Sequence, residues 1–188
     1  MENTSLNIMV GGEAGFGIMA SGLLLIRTFS RGGLKAITIN DYPSLIRGGH
    51  NIILVRVASH DIYATDNNAD ILIALNRETV DLHKDEVVEG AAIVYDNDSF
   101  RIDNSDFSKI VNLYPVPLMR LAKEAGGDVL MRNTVALGAT LALTDYGVEL
   151  LESVVQDQFG RKGEDIVKKN MDAVQKGYDF VRQNYPQR

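Results

Sequence analysis

Short β-branched apolar runs alternate along the chain with longer helical stretches. The runs at 6–10, 36–40, 51–58, 70–75, 91–95 and 109–114 are rich in Ile, Val and Leu and end at turn-forming residues, the pattern of strands. Ile71-Leu72-Ile73-Ala74-Leu75 is apolar at every position, which predicts a strand covered on both faces. The run 51–58 alternates, with Ile53, Val55 and Val57 on one side and Leu54 opposite. Only about ten residues separate it from the preceding strand, too few for a helical crossover, so it is expected to run antiparallel.

The stretch 16–30 is apolar almost all round and predicts a buried helix ended by Gly32-Gly33. Helices are also expected at 117–125, stopped by Gly126-Gly127, and at 148–159, stopped by Gly160. The stretch 133–144 is rich in Ala and Gly, which suits close helix contact. In the last helix Val167, Met171, Val174, Tyr178 and Val181 recur at spacings of four and three. Glu164 and Asp165 at its start and Arg182 near its end match the helix dipole. The pattern predicts one α/β domain over 1–188. It is expected to have three α/β/α layers around a mostly parallel, mixed sheet, with consecutive C-terminal helices completing the outer layers.

Composition narrows the class of function. A net charge of −6 argues against nucleic acid or an anionic membrane as partner. The chain has no cysteine, which removes disulfides, thiolate-held zinc and cysteine-held iron–sulfur clusters. Its longest apolar stretch is interrupted by Ser21, Gly22, Arg27 and Thr28 and falls short of a membrane span. The opening Met1-Glu2-Asn3-Thr4 has no basic region of a signal peptide, so a cytoplasmic location is expected.

Two loops carry the candidate chemistry. The first, Val10-Gly11-Gly12-Glu13-Ala14-Gly15-Phe16-Gly17, lies between a strand and a helix, where backbone N–H groups and the helix dipole favour an anion. Gly12 and Gly17 have P-loop spacing, but Ile18-Met19 stand where lysine and a hydroxyl residue are needed, which removes the NTPase reading. Gly15-Phe16-Gly17-Ile18-Met19-Ala20 fits a dinucleotide fingerprint, with Asp41 ending the next strand. Against it, Gly11-Gly12-Glu13-Ala14 lengthen the turn. A free-standing Rossmann-type oxidoreductase binding NAD(P) or FAD is the alternative that this leaves. A third reading has the glycines only shaping a turn or fitting a neighbouring chain.

The second loop, 41–51, should lie beside the first at the carboxyl ends of the strands. Arg47 offers a planar fork of donors, Gly48-Gly49 permit close backbone approach, and His50 can donate, accept or titrate. Arg47 could equally pair with Glu13 or Asp41. His50 reads as a hydrogen-bonding residue, since no Ser, Cys or second His is placed to form a triad with it. His60 and His83 stand in polar surroundings and read as surface residues.

Four ordered segments carry a family resemblance: 11–18; Tyr42-Pro43-Ser44-Leu45-Ile46-Arg47-Gly48-Gly49-His50-Asn51; Asn133-Thr134-Val135-Ala136-Leu137-Gly138-Ala139; and 170–178. Together they resemble the gamma domain of the 2-oxoacid:ferredoxin (acceptor) oxidoreductases, which convert pyruvate, 2-oxoglutarate or branched-chain 2-oxoacids with coenzyme A to acyl-CoA and CO2. The Tyr-Pro-Ser form looks like the subtype in which gamma is fused ahead of alpha. The resemblance implies a non-catalytic gamma component, active only with alpha and beta (in some members delta) subunits and passing electrons to ferredoxin through the complex. It implies a role in assembly and in holding coenzyme A, with thiamine diphosphate, Mg and iron–sulfur clusters on the partner subunits. The ligand or subunit crevice would be lined by Gly12, Glu13, Gly15, Phe16, Gly17, Arg47, Gly48, Gly49, His50 and Asn133, with no catalytic residue and no metal ligand. Phe16 departs from the polar residue, typically Gln, of similar sequences, which leaves only backbone recognition there. No Gly-Asp-Gly…Asn-Asn thiamine diphosphate pattern occurs in the chain.

Overall fold

The computed structural model describes residues 5–41, 49–64, 66–144 and 146–185. Its strands are β1 (Ser5–Glu13), β2 (Lys35–Asp41), β3 (His50–Ala58), β4 (Ala69–Ala74), β5 (Val87–Asp96) and β6 (Asn112–Val116). Its helices are α1 (Ile18–Arg31), α2 (Arg77–His83), α3 (Leu118–Glu124), α4 (Met131–Leu141), α5 (Val148–Phe159) and α6 (Glu164–Asn184). The strands form one sheet in the order β2-β3-β1-β4-β5-β6. β3 runs antiparallel to both β1 and β2, as its short connection required, and the other pairs are parallel. The mixed α/β/α architecture is therefore as expected, although its two outer layers are unequal.

One face of the sheet carries most of the core. Ile8, Val10, Ile53, Val55, Ile71 and Ile73 pack there against α1 and α3 to α6. The opposite face presents Met9, Leu54, Leu72 and Ile93 to α2 and to Ile102, Phe107 and Val111 of the segment before β6. α2 was not anticipated. It is seven residues long, is capped by Asn76 accepting from Thr79 N, and buries only Thr79 and Val80. β6 lies at 112–116 and not 109–114. Lys109 instead donates its ammonium to the carbonyls of Val87 and Asp85 beside β5.

β1 continues through Gly11 and Gly12 to Glu13, so these glycines belong to the sheet and not to the loop. Successive residues of a strand face opposite sides. A Cβ on Gly11 would fall 2.4 Å from Thr79 Cγ2 on the α2 side, and one on Gly12 would fall 2.8 Å from Ile18 Cδ1 on the α1 side. The pair lets both helices close on the strand end.

From β1 the chain crosses through α1 to β2 on one side, whereas β4, β5 and β6 proceed outward on the other. The order thus reverses between β1 and β4, and ligand crevices in open α/β sheets lie outside the carboxyl ends at such a point. Among the described residues, no helix is long and apolar enough to cross a membrane.

Candidate functional site

The crevice at the end of β1 is built around the turn 14–17. Glu13 pairs with His50 across β1 and β3, and Ala14 N donates to Gly49 O at 2.9 Å. Phe16 N donates back to Glu13 O at 3.2 Å. Gly15 and Gly17 take φ of 90° and 79°, backbone conformations that side-chain-bearing residues rarely adopt. α1 then starts at Ile18 with no side-chain cap, so the N–H groups of its first turn have no intrahelical acceptor and point, with the dipole, at the turn.

α4 closes the other side. Asn133 Nδ2 donates to Phe16 O at 2.6 Å, while its buried Oδ1 has no partner among the described residues. Asn133→Ala removes the one side-chain bond fastening α4 to the Phe16 carbonyl. We expect a loss of about 1–2 kcal/mol in chemical denaturation. The guanidinium of Arg132 lies 5.6 Å from the centre of the Phe16 ring. Burial pushes its pKa down, opposed by the carboxylates of Asp96 and Glu13. Arg132 is thus a half-buried cation beside an aromatic ring and in the field of two carboxylates. Behind the turn, a groove of about 570 Å³ runs between α1, α4 and α6, lined among others by Gly17, Ser21, Leu24, Met131, Asn133 and Ile166.

Of the residues predicted to share this site, Glu13, Gly15, Phe16, Gly17, Gly49, His50 and Asn133 surround the one turn. Gly12 instead lies in β1 with its α carbon toward Ile18 and Leu75. Arg47 and Gly48, with 42–46, lie outside the described residues. Arg132 went unseen in the sequence, although it directly precedes Asn133. His60 is exposed as expected, but His83 is not a surface residue. Its Nε2 lies 2.9 Å from His50 Nε2, and its Nδ1 lies 2.8 Å from Glu86 Oε2. His50 thus has a second histidine beside it, on α2, at the back of the crevice. Burial, and secondarily His83, lower the pKa of His50, with Glu78 and Asp41 opposing.

The topology also bears on the dinucleotide alternative. Because β1 reaches Glu13, the turn is shorter than expected. However, antiparallel β3 stands between β1 and β2. Asp41 is thereby two strand spacings, about 10 Å, from β1, whereas the fingerprint needs its acidic residue on the adjacent parallel strand.

A family model described as pyruvate ferredoxin/flavodoxin oxidoreductase matches residues 7–180. The chain belongs to this family. Its relatives include the 2-oxoglutarate synthase subunit KorC of Methanocaldococcus jannaschii, 28% identical over 179 residues and matched over 94% of both chains. Among solved structures, the keto/oxoacid ferredoxin oxidoreductase gamma subunit of Geobacter sulfurreducens superposes with a TM-score of 0.81 at 25% identity, covering 96% of this chain and 98% of that one. The 2-oxoglutarate:ferredoxin oxidoreductase of Magnetococcus marinus, solved with 2-oxoglutarate, coenzyme A and succinyl-CoA bound, superposes with a TM-score of 0.88 at 33% identity. All of this chain is covered there, but it spans only 33% of that chain. The similarity to family members is thus of two kinds: to free-standing gamma subunits and to one part of a longer polypeptide. None of these relatives supports the free-standing Rossmann alternative.

Proposed function

We propose that this chain is the gamma component of a 2-oxoacid:acceptor oxidoreductase, assembling with alpha and beta partners and holding coenzyme A for them. The observation that carries the coenzyme role is the grouping of three features around the turn 14–17. The uncapped start of α1 and the cation of Arg132 suit a phosphate, and the adjoining groove suits a flexible, mostly apolar arm. Arg47, outside the described residues, is proposed for the same phosphate on its planar fork of donors alone. Asn133 Oδ1 is a buried acceptor available to an amide N–H in the arm.

Carbanion stabilisation and electron transfer are the work of thiamine diphosphate and iron–sulfur clusters on partner chains. Among the described residues no group of three His, Cys, Asp or Glu could hold a metal ion. The role proposed for this chain is to bind and orient. The purified chain should not oxidise 2-oxoacids, and adding it to the partner subunits should restore CoA-dependent oxidation. Arg132→Gln should weaken CoA by about 10- to 100-fold, the equivalent of one charged hydrogen bond of roughly 1.5–3 kcal/mol, while leaving turnover at saturating CoA largely intact. Partner subunits that work equally well without this chain would overturn the proposal.

A further inference from the structure

The pair His50–His83 has a geometry that the proposed coenzyme role does not call on. The two Nε2 atoms are 2.9 Å apart, so one ring donates and the other accepts. Glu86 decides which. Its carboxylate only accepts when ionised, so His83 carries its proton on Nδ1 and donates it to Glu86 across 2.8 Å. His83 Nε2 is then a lone pair, and His50 must donate from Nε2. That leaves one lone pair on the two rings, His50 Nδ1, and it is buried without a partner among the described residues. The ring of His50 lies over Gly11, where a Cβ would fall 3.2 Å from its Cε1. The chain of groups runs outward from there: the side chain of His83 is 11% exposed and that of Glu86 43% exposed.

We propose that His50, His83 and Glu86 form a proton relay, with Nδ1 of His50, enclosed at the end of β1, as its inner proton-accepting site. A proton arriving at Nδ1 displaces the Nε2 proton of His50 onto Nε2 of His83. The positive charge then rests on His83 beside the Glu86 carboxylate, and His50 stays neutral with its proton moved from Nε2 to Nδ1. Atoms and charge balance: one proton enters at one end, one shifts between the rings, and one cation appears at the exposed end. The second ring cannot also charge, because two cations would then face each other at 2.9 Å. The acceptor character of the site is reinforced by its surroundings. Glu13 stands opposite on β1, Asp41 ends β2, and Glu78 is on α2 with His83. A neutral lone pair among carboxylates disfavours an anion and favours a donor.

The proton itself is the probe. The chain has three histidines, and ¹⁵N-resolved imidazole NMR distinguishes the pair from exposed His60. At pH 8 His50 should show its proton on Nε2 and His83 on Nδ1. On acidification the two should change together, with uptake of one proton and appearance of Nδ1–H on His50. Glu86→Gln, at a half-exposed position, removes the carboxylate that fixes the Nδ1 proton of His83 and should mix the tautomers. His50 found with its proton on Nδ1 at pH 8, two independent transitions for the two rings, or a Glu86→Gln variant with the parent's tautomers would each overturn the relay.

Discussion

Gly138→Ala and Gly177→Ala should each destabilise the fold by about 3 kcal/mol or more, among the largest effects of any single methyl in this chain. A Cβ on Gly138 would fall 2.0 Å from Val174 O, and one on Gly177 would fall 2.0 Å from Val135 O. Both obstacles are backbone, so no side chain can swing aside. α4 and α6 would have to part by an ångström or so, opening a gap along a helix buried on all sides and stretching the buried bond from Thr134 Oγ1 to Asn170 Oδ1. Alanine is favoured over glycine within a helix by about 1 kcal/mol, which offsets only part of this cost. Gly160→Ala is the matched control. Its new methyl would find only the amide end of Gln156, at 3.6 Å, and its backbone is already α-helical. Urea midpoints followed by circular dichroism should fall steeply for the first two variants and hold for the control. Because α4 also presents Arg132 and Asn133 to the crevice, the same two variants should bind CoA more weakly.

Features set by neighbouring residues were legible in the sequence, and those set by distant ones were not. Apolar runs with turn residues at their ends located the strands, and the length of the connection before 51–58 gave β3 its direction. The period of Val167, Val174 and Val181 located the buried face of α6. Gly11 and Gly12 look locally like a loop. Their reason is the bulk of Thr79, Ile18 and Leu75, brought to the two faces of β1 by the fold. Gly177 is similar: the Ala- and Gly-rich stretch 133–144 announced close contact, but nothing local pairs Gly177 with Val135. His83 reads as a surface residue because Lys84 and Asp85 follow it, yet its functional neighbour is 33 positions away. The Gly15 and Gly17 turn was readable because positive φ is a local demand. Arg132 was not, since it becomes a site residue only when α4 meets Phe16.

Asp96→Ala should cost about 3 kcal/mol, and Asp96→Asn about 1 or less. The carboxylate is fully buried at the end of β5 and serves three donors: Leu118 N at 3.1 Å, Ser99 Oγ at 2.7 Å and Asp98 N at 3.3 Å. Leu118 opens α3, which follows Pro117 and has no side-chain cap of its own, so Asp96 takes that part. Alanine strands two backbone N–H groups away from water. Asparagine keeps an oxygen for both, and the Ser99 hydroxyl can turn to accept from its amide. The two variants therefore separate the hydrogen-bonding role of Asp96 from its charge. That charge draws on Arg132. With the fold retained in Asp96→Asn, the guanidinium faces one carboxylate fewer, and the crevice becomes less negative. Under the proposed coenzyme role, CoA should then bind this variant as tightly as the parent or a few-fold more tightly, as isothermal titration would show. Weaker binding by a correctly folded Asp96→Asn would mean that Arg132 does not hold the phosphate.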